Sequence, residues 1–574
     1  MPRSLHSPLA AMLREAHRAA TESAATGIRI DEVSAMRAER RARARPTDSG
    51  LAISRRSLLK AGAAASALAA SGGLTAAAAR SVGAASQQRI AIVGGGTAGL
   101  RCAHKLWTKG KKPSTIYEWG DRVGGRVDTL RGFFANGQTA EQHGEFISSE
   151  HASTLALVTA FGLSLDVAST AAAYPPGTQD TYWFNGVRYT QAMLDADWQA
   201  FAWSTFNDAV HAAPWPTRYT AFTQAGLEWD SISVVDWIEQ HIPGGLGSAF
   251  GKLCYYVVVS EYGGPPEEQS ALNLVYILGY DDSRNGQGFQ SSTTPSIYGT
   301  DEKFHIHGGN DQLVQGLVAG LPSGTIRTGH QLIALRDNGN GTYRLTFQVG
   351  AGTTDVTADH VVLALPFTTL RQVDLSRANL SPLKMRAIRE LPLGTNAKVT
   401  LQVSGRPWNA GGYTGNILTD LALSAPGSPA GAPIGIDGGW DTANYQPGPT
   451  GIFADFIGGT DGARLGSKYG LSATDGVAPP RLVNDLLVNL ERVLPGMTAA
   501  WNAGPRLAHY HDGNQDQRLR GAWSQYAIGQ YTGFSGIEPV REGNIHFAGE
   551  HTSLEDQGFI EGAITSGERA AAEI

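Results

Sequence analysis

The stretch Arg89-Ile90-Ala91-Ile92-Val93-Gly94-Gly95-Gly96-Thr97-Ala98-Gly99 decides the fold. Its β-branched run reads as a short strand that stops at three glycines, after which Leu100, Cys102, Ala103, Leu106 and Trp107 recur at helical spacing. Strand, glycine turn and helix in this order make a seat for a dinucleotide. Gly94 permits the tight turn, Gly96 lets the backbone approach a pyrophosphate, and Gly99 lets the helix lie close against the strand with its first amides toward the phosphates. The next apolar run, Thr115-Ile116-Tyr117-Glu118, ends in an acid 19 residues after Gly99, where a carboxylate accepts hydrogen bonds from an adenosine ribose.

Directly after that acid comes Asp121-Arg122-Val123-Gly124-Gly125-Arg126-Val127, a second glycine pair followed by a cation able to neutralise a diphosphate. Nicotinamide enzymes do not need this element. The two glycine segments together resemble the FAD-binding start of the amine oxidase superfamily, which includes monoamine oxidases, polyamine oxidases and L-amino acid oxidases. The resemblance implies an α/β fold in which a discontinuous Rossmann-like FAD-binding domain carries an interleaved α+β substrate-binding domain. On that pattern residues 80–160, 301–390 and 511–574 are the FAD-binding parts, and 161–300 and 391–510 the substrate-domain parts.

Further segments resemble the superfamily in order along the chain. Gly144-Glu145-Phe146-Ile147 is similar to the strand beneath the flavin, and Gln331-Leu332-Ile333 to the strand whose backbone meets the adenine. Asp359-His360-Val361-Val362-Leu363-Ala364-Leu365-Pro366 is apolar on both faces, as a parallel sheet requires. In Ile545-His546-Phe547-Ala548-Gly549-Glu550, the acid Glu550 matches one at the FAD phosphate and ribityl region, and the helix from Phe559 and Ile560 would offer amides to the flavin pyrimidine ring. Lys398 matches the family lysine that holds a water near flavin N5. Trp523 stands where mammalian-type monoamine oxidases have a flavin-linking cysteine, and with Phe559 it is expected to wall the amine site. Neither Cys102 nor Cys254 is near Trp523 in sequence, so FAD is expected to be held without a cysteinyl bond.

The activity so implied is oxidation of a primary amine by hydride transfer to the flavin, giving an imine and then an aldehyde plus ammonia, with oxygen reduced to hydrogen peroxide. An L-amino acid oxidase is the alternative: resemblance to that family would place an arginine for the substrate carboxylate after the strand that follows Arg126, where no Lys or Arg occurs from Gly132 to Val187, and Arg518 or Arg520 could serve a carboxylate from elsewhere in the chain. A flavoprotein desaturase or isomerase is the more distant alternative. His305 with His307 and His509 with His511 alternate as strand residues do, without a third ligand at useful spacing, so no metal is expected.

The rest of the 574 residues fits this reading. Hydrophobic residues make up 42% and charged ones 17%, which suits a globular chain, and 71 glycines without a Gly-x-y period exclude collagen. Residues 1–79 carry 12 Lys and Arg against 6 Asp and Glu, so the remainder has a balance of −12 and would repel nucleic acid. Ser54-Arg55-Arg56-Ser57-Leu58-Leu59-Lys60 precedes 19 uncharged residues, 61–79, dominated by small side chains and ending in an Ala-x-Ala site. This resembles a twin-arginine export signal over 54–79 behind an amino-terminal extension, 1–53. The expected partners are therefore an amine, oxygen and the twin-arginine machinery. The mature protein is expected to be extracellular or periplasmic and not membrane-spanning, with homodimer formation left open.

Overall fold

Ile90–Val93 is wholly buried and occupies the middle of a five-stranded parallel sheet. The computed structural model describes residues 88–168, 173–279, 301–421 and 435–574. The extension and the export signal expected at 1–79 lie outside the described residues. The sheet order is Ile545–Phe547, His360–Leu363, Ile90–Val93, Thr115–Tyr117, Ile326–Arg327, with every neighbouring pair parallel. Ile92 lies in register between Val362 and Ile116, and both flanking strands are apolar because helices cover both faces.

The helix Thr97–Gly110 follows the glycine turn and buries Leu100, Cys102, Ala103 and Leu106 against that sheet. The last helix, Ile560–Ala572, packs beside it so closely that a Cβ on Gly567 would lie 2.3 Å from the Ala98 carbonyl oxygen. A four-stranded sheet, Gly352–Ala358, Tyr343–Val349, Gln331–Asp337 and Asp374–Arg377, adds to the nucleotide part.

A separate eight-stranded sheet is ordered Asp475–Val477, Leu507–Asp512, Ala397–Ser404, Thr450–Ile457, Gly438–Asp441, Tyr413–Thr419, Gln179–Phe184, Val187–Tyr189. Period-two alternation sorts its two faces. Val399, Leu401, Val403, Phe453 and Ile457 enter a core shared with the helix Pro480–Val493. Lys398 stands in register between His511 and Phe456, on the other face.

One expected element differs. Gly144-Glu145-Phe146-Ile147 forms no regular strand; only Ile147 pairs, with Phe304. The carbonyls of Gly144 and Glu145 instead accept from Asn310 Nδ2 at 3.1 and 2.6 Å, which takes them away from a strand ladder. Among the described residues no helix is long and apolar enough to cross a membrane.

Candidate active site

One long cavity runs from the glycine turn to the face of the eight-stranded sheet. Gly94, Gly96, Glu118, Gly125, Arg126, Gly144, Glu145, Lys398, Trp523, Gly549, Glu550, Phe559 and Ile560 all line it. Gly99 lies just behind, and Leu332 lines a smaller cavity with Tyr117, His330 and Leu365.

At the nucleotide end the three glycines are required for three different reasons. Gly94 has φ +104°, and a Cβ there would meet the Ala364 carbonyl oxygen at 2.5 Å. Gly99 has no room, because a Cβ would lie 2.0 Å from the Gly94 oxygen. Gly96 has nothing within 4 Å of its absent side chain, so its face of the cavity is open. No side chain caps the helix that starts at Thr97, which leaves its first amides available to an anion. Glu118 accepts from Gly95 N at 2.7 Å and Gly120 N at 2.6 Å, which fixes its carboxylate beside the turn.

Arg126, expected to face the diphosphate, donates to Glu550 at 2.8 Å. Glu550 also accepts from Ser524 Oγ at 2.7 Å and Gly558 N at 2.9 Å. Burial alone would raise the pKa of Glu550, but Arg126, with help from His551 and Ser524, brings it below the ordinary value. Ser524 thus holds the acid in place.

At the end of the cavity near the eight-stranded sheet, Lys398 and Glu145 form an ion pair at 2.9 Å, with only 4% and 5% of each residue exposed. Trp523 stacks on Phe456 at 5.6 Å with an interplanar angle of 8°, and Trp440 lies 5.3 Å from Phe456. The Trp523 indole N–H donates to the Glu261 carbonyl at 2.8 Å, which holds the ring upright. The wall expected from Trp523 and Phe559 is therefore wider: Phe456 and Trp440 join Trp523, while Phe559 turns its ring against His151, 5.0 Å away. Strand alternation was the signal for Phe456 and Trp440, but it does not say which face meets the cofactor.

Two histidines complete this wall. The His143 and His511 rings lie 4.0 Å apart. Burial, then the nearby Lys398, pushes His511 down to about 3, and burial holds His143 well below its ordinary value, so both are neutral. Neither ring nitrogen of His511 has a partner among the described residues. Among the described residues no group of histidines, cysteines and carboxylates is arranged to hold a metal.

The open face at Gly96, the uncapped helix start and the orphaned His511 nitrogens are what a bound dinucleotide with a polar ring would fill. The residues present fit FAD.

The chain is similar to known flavin-dependent oxidases. The L-tryptophan oxidase RebO of Lentzea aerocolonigenes, described as flavin-dependent, is 26% identical over 345 residues, 57% of this chain and 68% of its own. A flavin-containing amine oxidase of Danio rerio is 24% identical over 507 residues, 84% of this chain and 85% of its own. The structure of cyclohexylamine oxidase from Brevibacterium oxydans shares the fold, with a TM-score of 0.67 at 21% identity over 85% of this chain and 98% of that one. FAD is the cofactor, and the fold is the α/β architecture read from the glycine turns. Residues 97–574 match the family described as flavin-containing amine oxidoreductases, and the chain belongs to that family.

Proposed function

We propose that the protein oxidises a primary amine that bears no α-carboxylate, giving an imine and then an aldehyde plus ammonia, with oxygen reduced to hydrogen peroxide. The charge pairing of the cavity carries this reading. Arg122, Arg126 and Arg518 line it, paired with Asp128 at 3.1 Å, Glu550 at 2.8 Å and Asp516 at 2.8 Å. Lys398 is paired with Glu145. No lysine or arginine among the described lining residues is left without a carboxylate partner, so none is free to form the two-pronged contact an amino acid's carboxylate needs.

When bound, FAD supplies the hydride acceptor for the carbon next to nitrogen and passes the electrons to oxygen. The chain's own residues bind and orient. The faces of Trp523 and Phe456 stabilise an arriving ammonium by up to about 2 kcal/mol once it is desolvated. Their stack excludes water from the reacting face, and the neutral histidines add no positive charge to repel the amine. Both cysteines are buried, neither lines the cavity, and burial raises the Cys102 thiol to about 12, which supports FAD held without a covalent bond. Denaturation should then release all the flavin.

A peroxidase-coupled screen of amines against their α-carboxylated counterparts tests the reading. Peroxide from the amines is expected, and peroxide from the amino acids alone would sink it. The leader assigned to twin-arginine export is tested by Arg55→Lys with Arg56→Lys, which should leave the precursor in the cytoplasm.

A further inference from the structure

Lys398 has no hydrogen to spare. Its ammonium carries three, and Nζ donates to the Glu141 carbonyl at 3.0 Å, the His143 carbonyl at 3.3 Å and Glu145 Oε2 at 2.9 Å. The water-holding role expected for this lysine would require one of those bonds to break. Glu145 is held as firmly: its other oxygen accepts from Trp440 Nε1 at 2.9 Å and Thr442 Oγ1 at 2.5 Å. Trp440 also lays its ring face toward the ammonium, 5.2 Å away. Lysine, carboxylate, indole and hydroxyl make one buried unit on the wall of the FAD cavity, and its net charge is zero.

We propose that Glu145 is a positioning residue that locks Lys398 into a neutral pair, so that the lysine does not act on the flavin as a free cation. A lone cation in a buried wall would favour any negative charge on the flavin ring, whereas a paired one at 2.9 Å presents only a dipole. The pair therefore holds the flavin's electron affinity below what the lysine alone would give. This rests on the FAD assignment and not on the amine reading, so the two fail separately.

Sulfite is the probe. Its sulfur lone pair forms a bond to oxidised flavin and the ring takes up the negative charge, bleaching the visible absorption without any other reactant. In holoenzyme, Glu145→Gln keeps the side chain's length and one acceptor oxygen, enough for either Lys398 or the Trp440 and Thr442 pair but not for both, and removes the charge. The sulfite dissociation constant is expected to fall at least tenfold, equivalent to about 30 mV for a two-electron couple. Adding Lys398→Met to Glu145→Gln removes the freed cation and should return the constant to within threefold of the parent, a reversal that mere loosening of the wall would not produce. A constant within twofold of the parent in flavin-loaded Glu145→Gln, or no reversal in the double variant, overturns the proposal. If Glu145→Gln is recovered without flavin, Glu145→Asp, which retracts the charge by one methylene, is read the same way. About threefold tightening is expected, and no change is contrary.

Discussion

The two ends of the cavity are built by opposite means. The nucleotide end is made by backbone: uncapped amides, three glycines and one acid, nearly all from the unbroken stretch between Arg89 and Arg126. The end near the eight-stranded sheet is made by side chains gathered from distant places, Glu145, Lys398, Trp440, Phe456 and Trp523, and set by strand register and an ion pair. A backbone site tolerates change only where space is open, whereas a side-chain site depends on each partner keeping its charge and shape.

The largest effect should come from Gly99→Val. Its side chain would have to displace the Gly94 carbonyl, and overpacking of this kind costs about 3 kcal/mol or more. Thermal unfolding of the flavin-free protein would register it. Gly96→Val sharpens the contrast, because nothing lies within 4 Å there. The flavin-free fold should keep its stability to within about 0.5 kcal/mol, while FAD binding weakens about a hundredfold, read by flavin fluorescence. Equal damage from both variants would break the distinction between packing glycine and ligand-facing glycine.

This contrast also explains what could be read in advance. The strand, turn, helix and acid lie close in sequence, and each residue type has one physical use there, so the nucleotide end was legible before any coordinates. Lys398 and Trp523 were legible only through resemblance. Phe456 and Trp440 were not, because alternation in a strand leaves open which face meets the cofactor. The partnership of Glu145 with Lys398 spans 253 residues and leaves no local mark. Gly144-Glu145-Phe146 read as a strand because its carbonyls' engagement with Asn310 is likewise invisible in sequence.

Smaller effects belong to the side-chain end. Trp523→Ala removes the partner of Phe456 and should lower kcat/KM for amines between about tenfold and a hundredfold, roughly 1.4–3 kcal/mol. Flavin content should stay unchanged. Loss of flavin together with activity would show that the two ends are not separable. The smallest effect concerns acid stability. His511 is lowered to about 3 from an ordinary 6.5, so between those values the unfolded chain takes up a proton that the folded one refuses. The stability conferred by the neutral ring is present above pH 6.5 and is lost as pH falls toward about 3. His511→Asn should therefore shrink the drop in Tm between pH 7 and pH 5, and an unchanged drop would count against a neutral, buried His511.

The pairing of the helix Thr97–Gly110 with the helix Ile560–Ala572, at Gly567 on Ala98, joins segments far apart in sequence. Glu550, Phe559 and Ile560 line the same cavity as Gly94 but leave the ribosome long after it. A nascent chain thus presents the glycine turn before those wall residues exist, and synthesis proceeds at about 5–20 residues per second. The cavity is complete only once the segment from Gly549 to Ala563 has been made, and any chain cut short before Glu550 lacks that part of its wall.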